Sequence, residues 1–282
     1  MNPFTELTPM LKSLRLSGML DSLETRNRQA LAEQLAPAEF LTLLVQDELA
    51  RRDQARFARR LRMAAFHSTK TIEQFDFNAA ASLNRALIND LLTCRFIHEN
   101  APVHIVGPVG TGKSHLAQAI GHQAVRQGHE VHFATQSQFF AALHRSRLSG
   151  VHGRRMKMLC RVRLLILDDF ALKPIGSPQD DDLHEIIAQR YEKLPILITS
   201  NLAVDEWHEA FADNKLLGAA TIDRLKHGAY TVTLDGPSHR TPRTGAPPMP
   251  VKAAQMHREA PPKKQSKSGY RKAKNEHLSW LH

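Results

Sequence analysis

Along the first part of the chain, apolar residues recur at helical spacing. Leu11, Leu14, Leu16, Met19, Leu20 and Leu23 share one stripe, which predicts a helix. A second helical stretch starts at about Pro37, a residue suited to a first turn, and runs through Leu41, Leu44 and Leu49. It continues into a cluster of arginines, Arg51, Arg52, Arg56, Arg59, Arg60 and Arg62, with Asp53 the one acid among them. At about 100° per residue these arginines occupy one half of the helix, while Ala50, Phe57, Ala58, Leu61 and Ala64 fall on the other. Residues 1–66 therefore read as a small all-helical N-terminal domain. The periodicity stops over Phe66–Asn78, so residues 67–78 read as a linker.

Beyond it the pattern alternates. A helix over about 79–99 precedes the short apolar strand Val103–Val106. Helices over 114–126, 136–148 and 182–193 then alternate with strands over 131–134, 164–167 and 196–199. Strands and helices that alternate in this way predict an α/β domain, a parallel sheet flanked by helices on both faces.

Composition adds the partner chemistry. Of 282 residues, 42% are hydrophobic and 23% charged, enough for a core, and the net charge of +10 favours an anionic partner. The segment 241–282 carries nine Lys/Arg against Glu259 and Glu276, so most of the excess sits there. It is Pro-rich and poor in apolar residues, and reads as a disordered basic tail. Two roles stay open for it, a solubilising tail or a non-specific nucleic-acid arm. The arginine helix suits phosphate contact with duplex DNA, which gives affinity without sequence reading. A solvated face, or an acidic protein partner, stays open beside that reading. Cys94 and Cys160 are too few for a disulfide framework or a four-cysteine zinc site. There is no signal-peptide pattern and no apolar run near the about 18 residues of a membrane span. The expectation is a cytoplasmic protein without a membrane partner.

The chemistry centres on Gly107-Pro108-Val109-Gly110-Thr111-Gly112-Lys113-Ser114, a complete G-x-x-x-x-G-K-[ST] pattern between strand and helix. Its glycines let backbone N–H groups converge on phosphate, and the helix that follows presents its positive end. Lys113 neutralises phosphate charge, and Ser114 offers a hydroxyl to Mg²⁺. The apolar strand 164–167 delivers Asp168 and Asp169 at its C-terminal edge. Asp168 is the Mg²⁺ candidate and Asp169 the general base, unless the pair merely caps a turn. Asn201 closes the last strand, as a water- or phosphate-orienting group or as a turn residue. Asp180, Asp181 and Asp182 read as a helix cap, with metal binding the lesser option.

The order of these motifs resembles an AAA+ ATPase, and more narrowly the IstB-like transposition helper family, related to the DnaC helicase loaders. The resemblance rests on residues 107–116, Leu-Ile-Leu-Asp-Asp-Phe (165–170), Ile-Thr-Ser-Asn-Leu (198–202) and Ile-Asp-Arg-Leu-Lys-His (222–227). Residues 11–20 and Gln-Phe-Asp-Phe (74–77) also fit, and the likeness covers about residues 5–240. It implies an AAA+ domain over 79–240 with a small C-terminal lid, and ATP with Mg²⁺ as cofactors. Residues 107–115, His115 included, would hold the nucleotide. It further implies an arginine finger at Arg224 that reaches a neighbouring subunit's γ-phosphate, and a second nucleotide-sensing arginine at Arg240. Without the resemblance both read as surface charges. The activity it implies is ATP-dependent assembly of a homo-oligomer on duplex DNA that stimulates a partner transposase. The alternative is a helicase loader whose arginine helix faces acidic protein. Two departures stand out: Ala171 takes the place of the family's usual glycine, and the tail after 241 is long.

Overall fold

The computed structural model describes residues 4–77 and 83–236. Five strands, β1 (Val103–Val106), β2 (Val131–Thr135), β3 (Leu164–Phe170), β4 (Ile196–Ser200) and β5 (Tyr230–Thr233), form one parallel sheet in the order β2-β3-β4-β1-β5. Side chains alternate across it. Leu164, Ile166 and Leu197 enter the core on one face, and Leu165, Leu167 and Ile198 the core on the other. Both faces are covered, which is why β1 and β4 are buried along their whole length. β5 lies at an edge and buries Val232 alone among its four residues, too weak a pattern to predict from.

The covering helices follow the expected alternation. On one face lie α4 (Arg85–Leu92), α5 (Arg95–His98) and α6 (Lys113–Arg126). On the other lie α7 (Gln136–Leu148), α8 (His152–Arg161), α9 (Gln179–Arg190) and α10 (Lys215–Lys226). Of the single helix expected over 79–99, residues 79–82 lie outside the described residues, and the described part holds two short helices. Thr93 Oγ1 donates to Asp90 O and accepts from Arg95 N–H, and Cys94 turns left-handed at φ 61°, so local side-chain bonding displaces the helical ladder. α9 starts three residues earlier than expected. Asp180–Asp182 therefore sit inside its first turn, where carboxylates favour the positive helix end, and do not form its cap.

The N-terminal stripe is likewise split between α1 (Phe4–Ser13) and α2 (Ser17–Glu33), with Arg15 at φ 57° between them. Leu11 and Leu23 pack with Leu44 of α3 (Pro37–Ala64), whereas Leu14 is 66% exposed. The buried Glu48 carboxylate of α3 accepts the N–H groups of Gly18 and Met19 at the start of α2, which locks the pair. The far end of α3 packs on β2 and α6 through Phe57, Leu61 and Ala64. The arginine-bearing helix is thus continuous with the sheet domain's own core.

Residues 67–77 do not behave as a free linker. Ser68 donates to Gln118 Oε1, His122 meets Ser68 O, His115 meets Thr71 O, and Arg126 pairs with Glu73. These contacts strap the segment along α6, a structure that polar residues without periodicity do not announce.

Candidate nucleotide site

The loop between β1 and α6 wraps closely on the sheet. A Cβ at Gly107 (φ 146°) would collide with the backbone carbonyl of Leu234, so glycine alone fits where the chain leaves β1. Gly112 (φ 94°) directly precedes α6 and turns the backbone into it. Thr111 Oγ1 donates to Pro108 O at 2.9 Å and fixes the loop's width. Lys113 is buried, and its Nζ donates to Gly107 O and Pro108 O at 2.7 Å each. Its charge therefore sits against the loop that the phosphates would enter.

β3 runs three residues past its expected end, to Phe170, and its pairing with β4 shifts register between Leu167 and Phe170. Two residues, Asp168 and Asp169, stand there opposite one, Thr199, as in a β-bulge. Thr199 Oγ1 donates to Asp168 Oδ1 at 2.5 Å and accepts Asp169 N–H at 3.0 Å. Ser200 Oγ donates to Phe170 O, and Asp169 and Ala171 have φ of 56° and 60°. Ala171 thus holds the left-handed conformation that the missing glycine would take without strain, and Gln136 Oε1 accepts its N–H.

These elements frame a cavity of about 650 Å³ lined by Val109–His115, Asp169, Leu172 and Asn201. Its other wall is the strap, with Lys70, Gln74, Phe75 and Asp76. Phe75 stacks edge-on against His115 and against Phe77. The structure therefore gathers Val109–His115, Asp169 and Asn201 in one place. Gly107 and Pro108 shape the loop behind them, and Asp168, 4% exposed, lies one residue deeper. Ser114 hydroxyl and Asp168 carboxylate are both hard oxygen donors. Among the described residues no group of three or more His, Cys, Asp or Glu is placed to hold a metal. Oxygen donors of this kind are those Mg²⁺ takes, beside waters and phosphate oxygens.

Arg224 is elsewhere. It lies on α10, donates to Ala220 O, and lines a pocket of about 190 Å³ with Pro102, Tyr191, Ile196 and His227. Pro102 and Ile196 mark the ends where β1 and β4 begin, opposite the phosphate loop. Arg240 and the tail 241–282 lie outside the described residues.

The arginine face is partly self-paired. Arg51 meets Asp21, Arg52 meets Glu48 and Arg56 meets Asp53, while among the described residues Arg59, Arg60 and Arg62 form no ion pair. Helical periodicity did not reveal a second basic surface. No acid occurs between Glu130 and Asp168, whereas Arg145, Arg147, Arg154, Arg155, Lys157, Arg161 and Arg163 do. That acid-free run was the available signal. On α8, Arg154, Lys157 and Arg161 form an exposed stripe. With Arg60, Met63, Glu130 and Met158 they border a groove of about 220 Å³ over β2.

The model of the IstB-like ATP-binding protein family matches residues 9–245. A protein of Mycobacterium tuberculosis, described by name as an ATP-binding protein in an insertion sequence, is 38% identical over 231 residues, 82% of this chain and 92% of that one. The ATP-binding protein named for insertion sequence IS21 of Pseudomonas aeruginosa is 33% identical over 235 residues, 83% of this chain and 88% of that one. Among solved structures, AMPPCP-bound DnaA from Aquifex aeolicus superposes with a TM-score of 0.50 and 24% identity, over 59% of this chain and 50% of that one. That likeness is one of fold alone.

Proposed function

The chain belongs to the IstB-like ATP-binding protein family, and from that premise we propose that it is a cytoplasmic ATP hydrolase that assists transposition of an insertion sequence. It assembles on duplex DNA when ATP binds and stimulates a partner transposase. The observation that carries the hydrolase reading is the cavity in which the loop 109–115, Asp169 and Asn201 converge while Arg224 lies at the other end of the sheet. A complete site then needs two subunits, so turnover follows assembly.

Backbone N–H groups of Gly110–Ser114 and the α6 terminus receive the phosphates. Lys113 exchanges its two carbonyl partners for β- and γ-phosphate oxygens. Ser114 and Asp168 would hold Mg²⁺, which when bound offsets phosphate charge. Asn201 orients a water, and Asp169 takes its proton as the water oxygen bonds to the γ-phosphorus. The bond to the bridging oxygen breaks, ADP keeps that oxygen, and a neighbour's Arg224 offsets charge on the transferred group. Arg240 serves as the second nucleotide-sensing arginine.

The DNA surface comprises Arg51, Arg52, Arg56, Arg59, Arg60 and Arg62 of α3, extended by the α8 stripe. Three of these arginines already pair with carboxylates of their own chain, which lowers the charge the face offers any anionic partner; in the competing helicase-loader reading that partner is an acidic protein. Binding to long duplex DNA with ATP, with ADP and without nucleotide, across a salt series, separates the two. The proposal predicts ATP-dependent, salt-sensitive duplex binding without a partner protein. Absent or purely single-strand binding transfers the reading to the helicase loader.

A further inference from the structure

We propose that Thr199 is a positioning residue that aims the Asp168 carboxylate at Mg²⁺, an inference that rests on the ATP-hydrolase reading. The bulge supplies the reason. Where two residues of β3 face one of β4, the ladder loses a regular partner for one N–H. Here that group is Asp169 N–H, and it is satisfied by a side chain, Thr199 Oγ1, at 3.0 Å. The same hydroxyl directs its own proton to Asp168 Oδ1 at 2.5 Å. A hydroxyl has one donor and free acceptor lone pairs, so a single atom meets both demands.

Thr199 and Ser200 are both fully buried, so water cannot take over either bond. Ser200 repeats the device one residue on, with Oγ donating to Phe170 O and accepting Leu202 N–H. The two hydroxyls thereby tie the bulged end of β3 to the end of β4 that carries Asn201. For Asp168 the consequence is directional. With Oδ1 committed to Thr199, the carboxylate cannot rotate freely, and a charge-assisted bond inside the protein holds it in one orientation. For Asp169 it is conformational, because the bond anchors the residue at φ 56°, where a non-glycine side chain is held at some cost. One buried hydroxyl thus sets the orientation of one acid and the backbone placement of its neighbour.

The test uses the full chain with Thr199→Val, which keeps shape and removes the hydroxyl, and Thr199→Ser, which keeps the hydroxyl. Affinity for a fluorescent ADP analogue is titrated with and without Mg²⁺, beside kcat and KM for ATP and thermal unfolding. Thr199→Val should bind the analogue without Mg²⁺ as wild type does, and lose roughly tenfold or more of the tightening that Mg²⁺ brings. Its kcat should fall by a similar factor with KM for ATP little changed, and Thr199→Ser should restore both. Should Thr199→Val not fold, Thr199→Cys, of similar size and with only a weak donor, takes its place. Mg²⁺-dependent tightening equal to wild type in the hydroxyl-free variant would overturn the role of Thr199 alone. A wild-type protein that ignores Mg²⁺ and hydrolyses no ATP would overturn the hydrolase reading beneath it.

Discussion

Mild acid should weaken this protein through one histidine beneath the nucleotide loop. His104 is on β1, 1% exposed, with its ring edge-on to Trp207 at 4.8 Å. Its buried Nε2 has no hydrogen-bond partner, so a proton placed there would be an unpaired buried charge. Burial drives its pKa down to about 4 from 6.5, against a backbone hydrogen bond to Leu225 that favours the charged ring and with Lys226 nearby opposing it. The folded pKa lies below the unfolded one, so as pH falls through 6.5 the unfolded chain takes up the proton first. Stability from this site is therefore full above about pH 6.5 and is lost progressively towards pH 4. At about pH 5 the unfolded ring is almost fully charged and the folded one almost neutral, a loss of about 2 kcal/mol. His104→Leu provides the comparison, being of similar size and without a titrating group. Urea unfolding of both proteins at about pH 7.5 and about pH 5 isolates the effect of His104, because carboxylates and His132 titrate equally in the two. Wild type should lose about 2 kcal/mol more than the variant over that interval. Equal losses would refute the assignment of a buried neutral ring to His104.

Other consequences are as specific. Ala171→Gly should raise stability by up to about 1 kcal/mol in thermal or urea unfolding, because it removes left-handed strain; a destabilised variant would contradict this. Lys113→Ala should abolish nucleotide binding in a fluorescence titration, and near wild-type affinity would sink the phosphate-loop assignment. Replacing Arg59 and Arg62 by Ala should lower the slope of log affinity for duplex DNA against log salt by about 0.9 for each phosphate no longer neutralised, and an unchanged slope would remove them from the DNA surface.

What could be read from the sequence divides along physical lines. Val103–Val106 and Gly107–Ser114 are contiguous, and their chemistry is local, so strand, loop and helix were legible from residue types and spacing alone. The same holds for α7, whose expected bounds are its observed ones, with Thr135 capping it through Gln138 N–H. The second wall of the cavity was not legible. Lys70, Gln74, Phe75 and Asp76 owe their position to polar contacts with α6 that lie about 40 to 50 residues away in the chain. α8 was missed because only Met156 and Leu159 of its residues are buried, too few apolar positions to stand out in a strongly basic segment. The glycine-to-alanine departure at 171 was visible, but its meaning needed the backbone angle.

Completion of the hydrolytic site by a neighbouring subunit is tested by mixing two inactive variants. Asp169→Asn keeps Arg224 but loses the base, and Arg224→Ala keeps the base but loses the finger. ATP turnover is measured with duplex DNA present, for each variant alone and for the mixture. Little turnover is expected from either alone, with recovery in the mixture, where an intact Arg224 meets an intact Asp169 across the interface. Wild-type turnover by Arg224→Ala alone, or a mixture as silent as its components, would contradict a site shared between subunits.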